Sequence, residues 1–295
     1  MPNWNTVLDE INHESTTGPL DKVRRRYLTQ LHKKTGRNII CYYSGWLQKS
    51  GSIAASIDDN DKNGLMTTVH GLERDKGLDL ILHTPGGSIT ATESIVHYLR
   101  VMFKDNIRVF IPQIAMSAGT MIACASKEIF MGNESNIGPI DPQFGGIPAH
   151  GVIDEFNEAV KSIKTDPSSL PIWQALIAKY NPTFLGECQK AIDLSSELVT
   201  AWLEEVMFVG DPDAKAKAAN ITTQLNNHTD TKTHSRHIHA DQAIGMGLKI
   251  TMLESDQDLQ DLVLTIHHAY MHTLANTSAI KIIENHIERA MVQGI

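Results

Sequence analysis

The sequence predicts an α/β fold built on a largely parallel sheet, and three observations predict it. Short apolar runs rich in β-branched and aromatic residues alternate with stretches of helical periodicity from Arg37 to Met131; strands that alternate with helices pair in parallel through crossovers. Two of these runs end in small residues, Pro85-Gly86-Gly87 and Ser117-Ala118-Gly119, where a strand gives way to a helix. A chain of 295 residues with 41% hydrophobic and 20% charged side chains can bury a full core, with room for a central domain and a helical addition.

Taken in order, a polar helix over Asp21 to Lys34 belongs to an N-terminal helical segment, residues 1–36. The central domain, residues 37–253, opens on Arg37-Asn-Ile-Ile-Cys-Tyr-Tyr43 as its first strand. Asp58 to Gly64 punctuates the chain, and Leu65 to Arg74 follows as a helix. Leu78 to His83 reads as a buried strand, Ser88 to Met102 as a helix, Ile107 to Ile111 as a strand and Ser117 to Ala125 as a helix. Short strands at Glu128 to Met131 and Ile137 to Ile140 precede a helical region, where Val152, Phe156, Val160 and Ile163 recur every three or four residues on one apolar face. Asn220 to His239 is polar and reads as a loop with a short strand; a helix over Ala240 to Gly247 and a strand over Leu248 to Met252 close the domain. Residues 254–295 read as a C-terminal helical extension of two long amphipathic helices, with Leu259, Leu262, Ile266 and Tyr270 on one side, suited to covering the domain or pairing with another subunit.

Several function classes are disfavoured by composition. The 26 basic and 34 acidic side chains give a net charge of −8, and Arg24 to Arg26 is the only tight basic run, so no nucleic-acid partner is expected. Cys41, Cys124 and Cys188 are odd in number and lack metal-like spacing, which fits buried thiols in a reducing compartment. Met1 to Glu14 carries Asp9, Glu10 and Glu14 and no apolar run; neither a signal peptide nor a membrane anchor is expected there, and the expected location is cytoplasmic. Val109 to Ser126 is free of charge, but Pro112, Gln113, Ser117, Gly119 and Thr120 interrupt it, so a strand, a turn and a buried helix are expected instead of a membrane span. His234, His237 and His239, and the pair His268 and His272, have neither cysteine partners nor a His-Glu-x-x-His pattern; no metal and no cofactor are expected.

Two segments carry chemistry. Ile81-Leu-His-Thr-Pro-Gly-Gly-Ser88 is a strand that runs through Gly86 and Gly87 into a helix. Glycine lets backbone N–H groups approach a ligand closely, and a helix start adds partial positive charge where an oxyanion would develop. Phe110-Ile-Pro-Gln-Ile-Ala-Met-Ser-Ala-Gly-Thr120 places one serine, Ser117, at another strand-to-helix junction. It is like a nucleophile elbow, except that Ala115 stands at the first glycine of Gly-x-Ser-x-Gly. A plain tight turn and a simple N-cap are the alternatives for the two segments taken singly.

As a pair, Pro85-Gly-Gly87 and Met116-Ser-Ala-Gly119 resemble the active-site segments of the Clp protease proteolytic subunit and of signal peptide peptidase A. With Tyr42-Tyr-Ser-Gly-Trp46, Asp61-Lys-Asn-Gly64, Thr92-Glu-Ser-Ile95 and Ile137-Gly-Pro-Ile-Asp-Pro-Gln143, the chain is similar to the serine dehydrogenase proteinase family over Arg24 to Met252. The resemblance implies a Clp protease/crotonase-like spiral of repeated β-β-α units and a serine peptidase. It implies Ser117 as nucleophile, the backbone N–H groups of Gly87 and Ala118 as oxyanion hole, and a peptide extended beside Gly86 and Gly87. It also implies a homo-oligomer, since rings are common in this fold. The sequence has no Gly-x-x-x-x-Gly-Lys-Ser/Thr loop, so ATP-driven unfolding of a protein substrate would fall to a partner.

The general base is less direct. Where the Clp subunit has its histidine this chain has Asp141, and near the place of its aspartate this chain has His234. An exchange of roles keeps the logic of the triad, with His234 accepting the proton of Ser117 and Asp141 orienting the imidazole. Lys161 and Lys164, on the helix after Asp141, are rival bases by analogy with serine-lysine dyads, and His150 is a third. Two other classes stay open: a crotonase-like enzyme acting on acyl-CoA thioesters, and an inactive scaffold that binds peptides.

Overall fold

In the computed structural model, which describes residues 3–227 and 232–294, the chain starts with α1 (Trp4–His13) and α2 (Pro19–Thr35). Pro19 opens α2, where a missing N–H costs nothing. Then come β1 (Asn38–Ser44), α3 (Asp61–Val69), β2 (Leu78–His83), α4 (Ile89–Phe103), β3 (Ile107–Ile111), β4 (Ile114–Ala115), α5 (Ala118–Cys124), β5 (Glu128–Met131) and β6 (Asn136–Ile137). A hairpin of β7 (Gln143–Phe144) and β8 (Ile147–Pro148) leads into α6 (Ala149–Thr165), α7 (Leu170–Ile177), α8 (Phe184–Trp202) and α9 (Ala214–Asn226). The chain ends with β9 (Ile238–His239), α10 (Ala240–Met246), β10 (Ile250–Met252), α11 (Gln257–Asn276), β11 (Ala279–Asn285) and β12 (Ala290–Gly294).

The main sheet has seven strands in the order β10-β5-β3-β2-β1-β11-β12. Its first five strands are parallel; β11 and β12 are antiparallel to their neighbours. Side chains alternate between its faces with the strand period of two. Ile39, Cys41, Tyr43, Ile81 and Phe110 pack with Leu28 and Leu31 of α2 and Ile266 and Tyr270 of α11. Ile40, Tyr42, Leu80, Leu82, Val109 and Ile111 pack on the other side with α3, α4 and α5.

The expected β-β-α repeat is visible as a second, smaller layer. Three of the main strands are followed by a short extended piece: Thr84–Gly87 after β2, β4 after β3, β6 after β5. These pieces pair with one another, Thr84 with Ala115, β4 with β6, and β6 with β9, while Ile57 pairs with Gly87. That layer builds the site.

Four sequence expectations change. The helix expected over Leu65 to Arg74 begins earlier, at Asp61, and ends at Val69, where His70 turns to extended backbone. The second helix expected after Glu254 is absent; β11 and β12 stand in its place. Ala279 to Asn285 is buried along its whole length, and its two charges are neutralised internally, Lys281 by Asp61 and Glu284 by Arg24 and Arg25, so the segment sits inside a sheet. The polar stretch from Asn220 is helical up to Asn226, because α9 buries Ile221 and Leu225; part of the expected loop, 228–231, lies outside the described residues. On α6, Val152 is buried as expected, whereas Val160 is exposed. Among the described residues, no helix is long and apolar enough to cross a membrane.

Candidate active site

Ser117 sits between β4 and α5 with φ 52° and ψ −115°. Such a backbone costs a residue with a side chain about 1–3 kcal/mol and persists only where its surroundings enforce it. Here they do: Met116 N–H donates to the Thr84 carbonyl (3.0 Å), Thr84 N–H donates to the Ile114 carbonyl (3.2 Å), and Gly119 N–H donates to the Met116 carbonyl (2.7 Å). The Ser117 hydroxyl makes no capping bond to α5, which removes the simple N-cap reading. Ala118, the first residue of α5, is buried, and its N–H belongs to the helical turn that has no intrahelical acceptor.

Gly86 and Gly87 lie against this elbow. A side chain on Gly86 would begin 2.7 Å from Ser117 Cβ, 2.8 Å from the Met116 carbonyl oxygen and 3.1 Å from Ala118 N, at φ 96°, so only glycine lets the two segments meet. Gly87 is bridged to Ile57: Ile57 N–H donates to the Gly86 carbonyl (2.8 Å), and Ser88 N–H donates to the Ile57 carbonyl (2.9 Å). In such a parallel bridge the N–H and carbonyl of Gly87 itself point away from Ile57.

Gly87 borders a cavity of about 460 Å³ lined by Ser56, Gly86, Gly87, Ser117 and His234 on its polar side and by Ile89, Met121, Ile140, Phe144 and Leu194 on its apolar side. His234 Nδ1 lies 2.8 Å from Asp141 Oδ1. Asp141 is fully buried, in Gly138-Pro-Ile-Asp-Pro-Gln143, and His234 is about a quarter exposed. With Nδ1–H donating to the carboxylate, Nε2 is the nitrogen left to accept a proton. Other surface clefts, of about 650, 550 and 470 Å³, contain neither Ser117 nor His234.

The other candidate bases lie elsewhere. Lys161 is 80% exposed and stands 3.8 Å from Glu158. Lys164 is exposed in the last turn of α6. His150 Nε2 faces Asn226 Oδ1 at 3.1 Å. None of the three lines the cavity. Among the remaining histidines, His239 stands at the N-cap of α10 with its backbone N–H donating to Gln242 Oε1 (3.0 Å), and His272 Nε2 lies 3.1 Å from the Trp4 carbonyl. Sequence reasoning missed Thr84, Ser56, Ile57 and the apolar wall of the cavity. Pairing across the second layer singles out Thr84 and Ile57, and Ser56 precedes Ile57 at the wall of the cavity.

A family model described as ClpP-like SDH-type serine proteinase matches residues 15–283. Two uncharacterized proteins of Methanocaldococcus jannaschii are also similar. One is 37% identical over 98 residues, 33% of this chain and 33% of that protein. The other is 29% identical over 181 residues, 61% of this chain and 56% of that protein. The aligned regions thus span about a third and about half the length of these relatives.

Proposed function

We propose, from the premise that the chain belongs to the ClpP-like SDH-type serine proteinases, that it cleaves peptide bonds through an acyl-enzyme on Ser117. A peptide lies extended along the free edge of Gly87, its scissile carbonyl over Ser117 and an apolar side chain against Ile89, Met121 and Leu194. Ser117 Oγ attacks the carbonyl carbon while His234 Nε2 takes its proton. The Gly87 and Ala118 N–H groups hold the oxyanion, and Asp141 steadies the imidazolium. Collapse of the tetrahedral intermediate breaks the C–N bond as His234 protonates the leaving amine. Water, deprotonated by the same histidine, then releases the acid and frees Ser117.

The observation that carries this reading is the His234–Asp141 pair at 2.8 Å opening into the cavity that holds a strained, uncapped serine. Covalent labelling by a fluorophosphonate probe tests it. The wild-type chain is expected to label on Ser117, and Ser117→Ala and His234→Ala are expected to lose the label. A folded wild-type chain that resists the probe would refute the reading, and tight retention on a coenzyme A matrix would then favour thioester chemistry. Assembly with further copies is part of the proposal, supported by the exposed apolar residues Leu170 and Ile172 on α7; light scattering is expected to give a mass above 32.6 kDa.

A further inference from the structure

Of the buried charge clusters that the mechanism leaves unused, one lies against the backbone of the site. Lys281 of β11 is fully buried, and its ammonium donates to Asp61 Oδ1 (2.7 Å) and to the Ser56 carbonyl (2.8 Å), with Asp58 Oδ2 at 3.5 Å. Asp61 is equally buried and accepts from Tyr42 Oη (2.7 Å) and Asp58 N–H (2.9 Å). A fully buried ion pair is a poor way to stabilise a fold, because removing two charges from water costs about as much as their attraction returns. Its placement is therefore the informative feature. The Ser56 carbonyl that Lys281 grips belongs to the peptide whose other end is Ile57 N–H, and that N–H donates to the Gly86 carbonyl. Ile57 fits so closely beside Gly87 that any side chain there would collide with the Ile57 backbone.

We propose that Lys281, with Asp61 as its counter-ion, is a positioning residue: through the Ser56–Ile57 peptide it sets the height of the Gly86–Gly87 strand, and hence the aim of the Gly87 N–H at the reacting carbonyl. This rests on the reading of Gly87 as an oxyanion donor. The chain's C-terminal hairpin thereby becomes part of the site. Displacing an oxyanion donor by a fraction of a bond length weakens the transition state more than the bound ground state. The expected signature is consequently a fall in kcat with KM nearly unchanged.

The test uses the full chain, a fluorophosphonate probe and the ester 4-nitrophenyl acetate. Wild type and Ser117→Ala come first: no Ser117-dependent labelling of folded wild type refutes the peptidase reading itself, before Lys281 is touched. Given labelling, the double variant Lys281→Met with Asp61→Asn removes both buried charges together. It is expected to melt cooperatively, to label at least about tenfold more slowly, and to lose kcat with KM within about twofold. Lys281→Arg, which keeps the charge and a donor, is expected to recover part of the rate. Labelling within about twofold of wild type in the folded double variant overturns the proposal, as does an equal loss in KM. Should the double variant fail to melt cooperatively, amide exchange on wild type decides. Residues 53–60 protected like residues 279–285 support the coupling, and exchange as fast as an exposed loop refutes it.

Discussion

The nucleophile half of the site and the histidine half are held by different kinds of bond. Ser117, Gly86 and Gly87 are fixed by main-chain pairing: Thr84 to Ile114 and Met116, Ile57 to Gly86 and Ser88, all within short strands between buried helices. His234 follows α9 in a turn, partly exposed, and a side-chain bond from its Nδ1 to Asp141 ties it to the site. Backbone pairing cannot be altered without moving many atoms, whereas one side-chain bond can be removed with the fold intact. Damage to the first half should therefore appear in stability as well as in chemistry, and damage to the second in chemistry alone.

The largest expected effect tests the second half. Asp141→Asn keeps the shape but favours the wrong imidazole tautomer, and should slow probe labelling of Ser117 by about 10⁴-fold, with melting temperature nearly unchanged. A large drop in melting temperature would break the contrast, since it would make Asp141 a structural carboxylate first. Gly86→Ala tests the first half. Its new methyl group must meet Ser117 Cβ and the Met116 carbonyl at φ 96°, so the variant should lose about 1–3 kcal/mol of stability together with at least about tenfold in labelling rate. A stable Gly86→Ala chain with lost labelling would place both halves under the same loose control.

Acid should separate the halves in another way. Behind β2, on the face away from the cavity, His83 and His267 are buried beside Tyr43. Burial pushes His83 well below the usual range and His267 down to about 3, and it pushes His286, near α2, down to about 4. Unfolded, each titrates near 6.5, so between those values the unfolded chain binds more protons. Stability from these groups is fully present above about pH 6.5 and falls as pH drops toward 4 and then 3. Thermal melts across that range should show the fall, and His267→Phe should flatten it. The smallest effect is expected on α6: Lys161→Ala and Lys164→Ala should label within about twofold of wild type, because both side chains are exposed and neither lines the cavity that holds Ser117. A loss near that of Ser117→Ala would replace His234 by a lysine.

Much of the first half was legible in the sequence. Pro85-Gly86-Gly87 and Met116-Ser-Ala-Gly119 are local signals, readable because turn geometry and glycine's freedom act over a few residues. The helix running to Asn226 was less legible: its polar surface hides a buried stripe of Ile221 and Leu225. β11 was harder still. Ile280, Ile282 and Ile283 fit an apolar run of either kind, and the two charges within it, Lys281 and Glu284, are compatible with a buried strand only because Asp61 and Arg24 are placed beside them.

By itself, then, the sequence determined the strand and helix alternation from Arg37 to Met131, the two small-residue junctions and the absence of a basic footprint, because periodicity, turn chemistry and net charge are properties of neighbouring residues. Tertiary structure alone decided that His234 meets Asp141 across 93 residues, that Ile57 clamps Gly87, and that Lys281 reaches Ser56 across 225. Those meetings depend on the register of strands and on which charges can share a dry interior. Both are set by the packing of the whole chain, since a buried charge or peptide group must find its partner wherever the fold brings one.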